Sequence, residues 1–124
     1  MSKKISTEKA PAAIGPYSQA IVVGGLVFTS GQIPIVPETG NVEAKDIKGQ
    51  TEQVMKNLGE VLTAAGSSYE KAVKTTCFLA EIADFAAFNE VYAKYFTEKP
   101  ARSCVAVKDL PRGVLVEVEV IAEI

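Results

Sequence analysis

The chain of 124 residues contains no histidine and no tryptophan. Without histidine there is no Ser-His-Asp or Cys-His nucleophile system, no HExxH zinc site and no Cys2His2 finger. Cysteine is scarce as well. Cys77 and Cys104 are the only two, stand far apart and form no CxxC pair of the redox or zinc-thiolate kind. Each lies in an apolar segment, where the simplest reading is a small buried hydrophobe. A long hydrophobic run is also missing. The longest, AIVVGGLVF at residues 20–28, falls far short of the ~20 residues that a membrane-spanning helix requires. The opening MSKKISTEKAP has no apolar core, so no secretory signal is expected and the cytoplasm is the expected compartment. With a formal net charge of −2 and scattered lysines, the chain offers no electrostatic footprint for nucleic acid or an anionic membrane. Any acid–base chemistry therefore falls to Glu, Asp, Lys or Tyr.

What is present is ordinary globular composition, 48% hydrophobic and 23% charged, which argues against disorder. One domain over residues 1–124 is expected, long enough to bury roughly two-thirds of its unfolded surface. The first twenty residues, with APAAIGPYSQA, read as an extended loop. IVV and LVF then flank Gly24-Gly25, which predicts a two-residue hairpin, because glycine supplies the positive φ that such turns demand. A helix is expected from about Asp46, with Ile47, Val54, Leu58, Val61, Leu62 and Ala65 on one stripe and Gly66 just beyond its end. Lys71–Ala80 reads as a strand. A second helix carries Phe85, Phe88, Val91, Tyr92, Tyr95 and Phe96 at three- and four-residue spacing, a stripe that belongs to the core. The strand ARSCVAV, the turn KDLPRG and a closing strand follow.

The expected order is β-β-α-β-α-β-β, an α+β sandwich with two helices on one face of a mostly antiparallel sheet. IVV and LVF are apolar at every position, so both faces of those strands need cover. The helices supply it on one side only. A homo-oligomer assembled through the opposite sheet face is therefore expected.

In the closing VLVEVEVIAEI, Val114, Val116, Val118 and Val120 share one face, and Glu117 and Glu119 lie on the other. Read with ARSCVAV as a hairpin, Ser103, Val105 and Val107 join the valines under the helices. Cys104 then falls opposite Glu117 and Arg102 opposite Glu119. Arg102, Glu117 and Glu119 would share the subunit-contact face. An arginine fork there suits a carboxylate ligand through two parallel hydrogen bonds.

Four segments, APAAIGPYSQA, FTSGQIP, NEVYAKYF and PARSCVAVKDLPRGVLVEVEVIA, together resemble the Rid family (reactive intermediate deaminase, also YjgF-type), closest to its imine-deaminating A subgroup. The resemblance implies a chorismate-mutase-like fold, a homotrimer and clefts between subunits. It implies hydrolysis of 2-iminobutanoate and 2-iminopropanoate, or their enamine tautomers, to 2-oxo acids and ammonia, with no metal and no cofactor. Residue by residue, it implies that Arg102 grips the substrate carboxylate and that the backbone of Cys104 contacts the ligand. By the same resemblance Glu117, and not Glu119, matches the residue that positions the hydrolytic water. Tyr17 matches the aromatic that walls the cleft from a neighbouring subunit, and Ser30, Gly31 and Asn89 match positions that line it. FTEKPARS departs from the family pattern by a shorter loop before Pro100, a loop that borders the cleft.

The chemistry fits these residue types. A protonated imine is already electrophilic at carbon, so the work is to hold a carboxylate, place a water and move protons. Desolvation should raise the pKa of Glu117, with Arg102 opposing. Two other readings stay open: a non-catalytic small-carboxylate-binding regulator using the same cleft, and a single-strand endoribonuclease or translation inhibitor.

Overall fold

In the computed structural model, which describes all 124 residues, Gly24 and Gly25 have φ of +59° and +78°. They close a tight hairpin between β2 (Ala20–Val23) and β3 (Leu26–Thr29), with Val23 paired to Leu26. The expected hairpin is there because both turn positions need the left-handed region. The amino-terminal segment is not all loop. Lys3–Ile5 forms a short strand, β1, antiparallel to β2. Ile35–Val36 (β4) and Asn41–Val42 (β5) make a separate two-stranded ribbon.

Helix α1 runs from Ile47 to Ala64. The Asp46 carboxylate caps its first turn by accepting the Gly49 N–H at 3.3 Å. At the other end Gly66 has φ of +84°, and its N–H donates to Thr63 O while the Ser67 N–H donates to Leu62 O. That pairing meets the last carbonyls of the helix. Val54, Leu58, Val61 and Leu62 of the expected stripe are fully covered against the sheet, with Met55 beside them. Helix α2 spans Phe85–Tyr95 and buries Phe88, Val91 and Tyr92. The aromatic stripe is therefore core along most of its length, but Phe85 is exposed.

β6 (Ala72–Leu79), β7 (Ala101–Ala106) and β8 (Val116–Glu123) complete a six-stranded sheet in the order β1-β2-β3-β8-β6-β7. The expected β7–β8 hairpin is not formed. β7 lies parallel to β6, because α2 is the crossover joining them. β8, with Val116, Val118 and Val120 fully or almost fully buried, occupies the centre between β3 and β6. A strand that must bury so many valines is driven to the middle, and the largely exposed β7 is left at the edge.

This corrects the register reading. Across β6, Arg102 aligns with Thr75 and Val120, and Cys104 aligns with Cys77 and Val118. Thr75, Cys77, Val118 and Val120 are buried under the helices, so Arg102 and Cys104 belong to the helix side. Val105 aligns with Phe78 and Glu117, and Ser103 with Thr76 and Glu119, on the open face. Arg102 and Glu117 thus stand on opposite faces of the sheet. The assumption that Val105 must join the buried valines fails because an edge strand can leave a valine exposed.

The open face carries Phe28 and Val105, 39% and 46% exposed, with Phe78 and Ile121 half-buried between them. No helix covers this face, on which these apolar side chains stand among Thr76, Ser103, Glu117 and Glu119. No helix is long and apolar enough to cross a membrane.

Candidate functional site

Two clusters of polar side chains stand on the two sides of the sheet. On the helix side, β7 and α2 bound a cavity of about 310 Å³ lined by Arg102, Asn89, Tyr92, Phe96, Lys99 and Pro100 among others. Arg102 Nη1 donates to Asn89 Oδ1 at 2.7 Å. The guanidinium carbon lies 4.8 Å from the Tyr92 ring centroid and 5.4 Å from that of Phe85. Neither ion pair of the chain, Lys48–Glu90 or Lys94–Glu52, involves Arg102. Its positive charge has no carboxylate neighbour within the protomer.

Cys104 is half-buried beside Arg102 on the same face. Burial pushes its thiol above the ordinary range, with Arg102 pulling the other way, and the fully buried Cys77 thiol is pushed up to about 12. Both sulfurs are protonated at neutral pH and are poor nucleophiles. The backbone is more telling. The Val107 N–H donates to Leu79 O at 2.9 Å. Alternation along β7 turns the N–H of Cys104, three residues earlier, to the free edge of the sheet, where a ligand could take it.

On the open face a cavity of about 560 Å³ is lined by Tyr17, Ser30, Gly31, Pro111, Glu117 and Glu119. Its shape follows from the loop after β3. Gln32 and Val118 exchange backbone hydrogen bonds at 2.9 and 3.2 Å, the Ser30 N–H donates to Gln19 O at 2.9 Å, and the Ser30 hydroxyl donates to Ser18 O at 2.6 Å. This lacing lays Gly31 directly over the Glu117 side chain. A Cβ on Gly31 would collide with the Glu117 side chain, so glycine leaves room for the carboxylate where it now lies. Glu117 has its pKa raised, first by desolvation and then by the Glu119 carboxylate. The expected opposition from Arg102 is absent because the two lie on opposite faces.

Tyr17 projects from the amino-terminal loop with 53% of its surface exposed, and Ile14 nearby is 87% exposed. The loop itself is held firmly. Gln19 is buried, accepts the Thr7 N–H at 2.7 Å and donates to the carbonyls of Thr7 and Pro11 at 3.1 and 2.8 Å.

The expected site residues therefore fall into two sets. Tyr17, Ser30, Gly31 and Glu117 meet on the open face, and Arg102, Asn89 and Cys104 meet on the helix side. Within one chain the two sets do not meet. Sequence reasoning missed the two rings over Arg102. The signal was available: Phe85, Asn89 and Tyr92 recur at i, i+4 and i+7, one face of α2. It also missed Glu119 as the charge that acts on Glu117. No three Cys, Asp or Glu side chains gather where a metal ion could be held.

Fold and clusters together define a small α+β protein with a polar-lined cavity on each side of one sheet. The chain belongs to the family described as Endoribonuclease L-PSP, whose pattern matches residues 7–124. It is 49% identical over 126 residues to 2-iminobutanoate/2-iminopropanoate deaminase of Salmonella typhimurium, covering 98% of each chain. It is 54% identical over 119 residues to the chloroplastic Reactive Intermediate Deaminase A of Arabidopsis thaliana, covering 95% of this chain but 64% of that longer protein. Among solved structures, YyfA of Yersinia pestis, described as a member of the conserved Rid protein family, superimposes with a TM-score of 0.97 at 50% identity over 100% of both chains. The resemblance to Rid proteins is thus correct.

Proposed function

We propose that the protein hydrolyses short 2-imino acids, such as 2-iminobutanoate and 2-iminopropanoate or their enamine tautomers, to 2-oxo acids and ammonia. The reaction takes place in clefts between copies of a homotrimer. The helix-side cluster of one copy meets the open-face cluster of the next, so that Arg102 and Glu117 of different chains face one ligand. The observation that carries this reading is the division itself. An arginine without a carboxylate partner and a half-buried glutamate without a cation partner lie on opposite faces, and neither is left so without consequence. Assembly through the apolar open face would bring opposite charges of neighbouring chains together. Exposed Tyr17 and Ile14 would then gain cover.

In such a cleft Arg102 anchors the substrate carboxylate by a two-pronged hydrogen bond, with the outward N–H of Cys104 beside it. The iminium carbon needs no further activation. A water held by Glu117 adds to it, the C–O bond forming as the C=N π pair moves to nitrogen. Glu117 takes one proton from the water and returns it to that nitrogen. The C–N bond then breaks as the hydroxyl becomes the carbonyl, and its proton leaves with the nitrogen as ammonium. A carboxylate whose proton affinity is raised by desolvation suits both transfers. The cytoplasm is the compartment of this reading.

The test generates the imine in situ with a threonine dehydratase, traps it with semicarbazide and follows 2-oxobutanoate. The protein should accelerate release and suppress trapping, and Arg102→Ala should abolish both effects. Wild-type protein without effect, or an Arg102→Ala variant with near-normal activity, would overturn the reading.

A further inference from the structure

The three groups that hold the Arg102 guanidinium are all uncharged. Two are aromatic faces, Tyr92 at 4.8 Å and Phe85 at 5.4 Å, and the third is the Asn89 amide oxygen at 2.7 Å. Cation–π attraction engages the charge without an acceptor oxygen, so the rings take the place of no carboxylate hydrogen bond. Asn89 takes one of the five donors, so an open edge of the fork remains beside the cavity.

Tyr92 is itself fixed. It is 8% exposed, and its hydroxyl shares a 2.7 Å hydrogen bond with Oγ1 of the fully buried Thr75. Thr75 is the register partner of Arg102 on the neighbouring strand. The chain of contacts therefore closes on itself: the Arg102 side chain rests on Tyr92, Tyr92 is tied to Thr75, and Thr75 is paired to the Arg102 backbone. Acids close at hand are engaged elsewhere. Glu90, next to Asn89 on α2, pairs with Lys48, and Glu52 on α1 pairs with Lys94.

An arginine that served only the fold would gain most from a carboxylate partner, which fits its fork and satisfies its charge. An amide at position 89 orients the group while neutralising nothing. We propose that Asn89 and Tyr92 are positioning residues that form a neutral cradle, fixing the plane of the Arg102 guanidinium while keeping its whole charge available to a carboxylate ligand. The inference rests on the reading of Arg102 as the carboxylate anchor and adds the device that orients it. Asparagine rather than aspartate at 89 is its specificity element: an aspartate would occupy the fork as an internal ligand.

Three variants of the full-length protein test it, with 2-oxobutanoate as the probe. Asn89→Asp should keep or raise the melting temperature while weakening 2-oxobutanoate binding by calorimetry about 10- to 100-fold, the range spanned by one hydrogen bond to a charged group. KM for the imine should rise more than kcat falls. Tyr92→Leu should weaken binding similarly and broaden the Arg102 Nε–Hε resonance by freeing the guanidinium. Tyr92→Phe, which keeps the ring but loses the tie to Thr75, should recover most of both. Asn89→Asp with wild-type affinity, or a Tyr92→Leu variant whose Arg102 resonance stays sharp, would overturn the cradle. If wild-type protein neither binds 2-oxobutanoate nor acts on the imine, the anchor reading fails by itself. The cradle is then decided by the resonance: broadening in Tyr92→Leu with recovery in Tyr92→Phe supports it, and no difference overturns it.

Discussion

Arg102 and Glu117 stand on opposite faces of one sheet, with β6 between their strands. Arg102 is aligned with buried Thr75, and Glu117 with Phe78 on the open side. A ligand touching both must bridge two chains. Arg102→Ala and Glu117→Gln should each be inactive as pure proteins, yet denaturing them together at equal amounts and refolding should recover about one quarter of wild-type activity, the share of clefts that draw both intact halves in a random cyclic assembly. The refolded species should have three times the 13.2 kDa of one chain by light scattering. Mixed protein that is trimeric yet inactive would overturn the shared cleft.

Glu117 supplies a prediction in pH. Its folded-state pKa is raised, so the fold favours the protonated carboxyl, and that contribution is full below the ordinary carboxylate range and is lost as pH rises through the raised value. Glu117→Gln should therefore melt higher than wild type at pH 7, with the gap closing towards pH 4. Activity should show the converse, rising as Glu117 deprotonates. Glu119→Gln removes the second cause of the shift, so the acidic limb of its kcat profile should move to lower pH.

Gly31 tests the closeness of the loop to the same carboxylate. Its φ is not in the left-handed region, so alanine meets no backbone penalty there, only the Glu117 side chain. The far end of that side chain can swing aside, which moves the oxygen that the proposed mechanism assigns to the water. Gly31→Ala should lower kcat about 100-fold, as a misplacement of ~1 Å can, while unfolding by urea shifts little. A large loss of stability with normal kcat would contradict the placement.

Gln19 governs the loop that carries Tyr17. Replacing it with alanine strands the Thr7 N–H and the Pro11 carbonyl, and each buried polar group left unmet costs about 1–3 kcal/mol. Gln19→Ala should lose stability on that scale in denaturant titrations and should expose the segment before Tyr17 to proteolysis faster than the wild type.

Features decided by neighbouring residues were legible in the sequence. Gly24-Gly25 has one economical turn, and Asp46 and Gly66 mark helix ends whatever the helix packs on. The partner of β7 was not. β7 and β8 are adjacent in sequence, and the short KDLPRG turn invites a hairpin, but α2 delivers β7 to β6 before β8 is reached. That choice depends on which strand has most apolar surface to bury, a property of the whole sheet. The error carried through to the site, because strand parity converts a wrong partner into a wrong face. The alternation inside VEVEV was read correctly, so Glu117 and Glu119 were placed together. The grouping of Arg102 with them was not. β1 escaped notice because three residues of strand carry almost no periodic signal.

The outer border of β7 has one further consequence. A strand bordering solvent offers its unpaired N–H and C=O groups to a strand of another copy. Just before it, Lys99 has φ of +54° and Pro100 has no N–H to offer, so the extended edge does not continue past the start of β7. An edge interrupted at its first residues is a poor template for pairing with another strand.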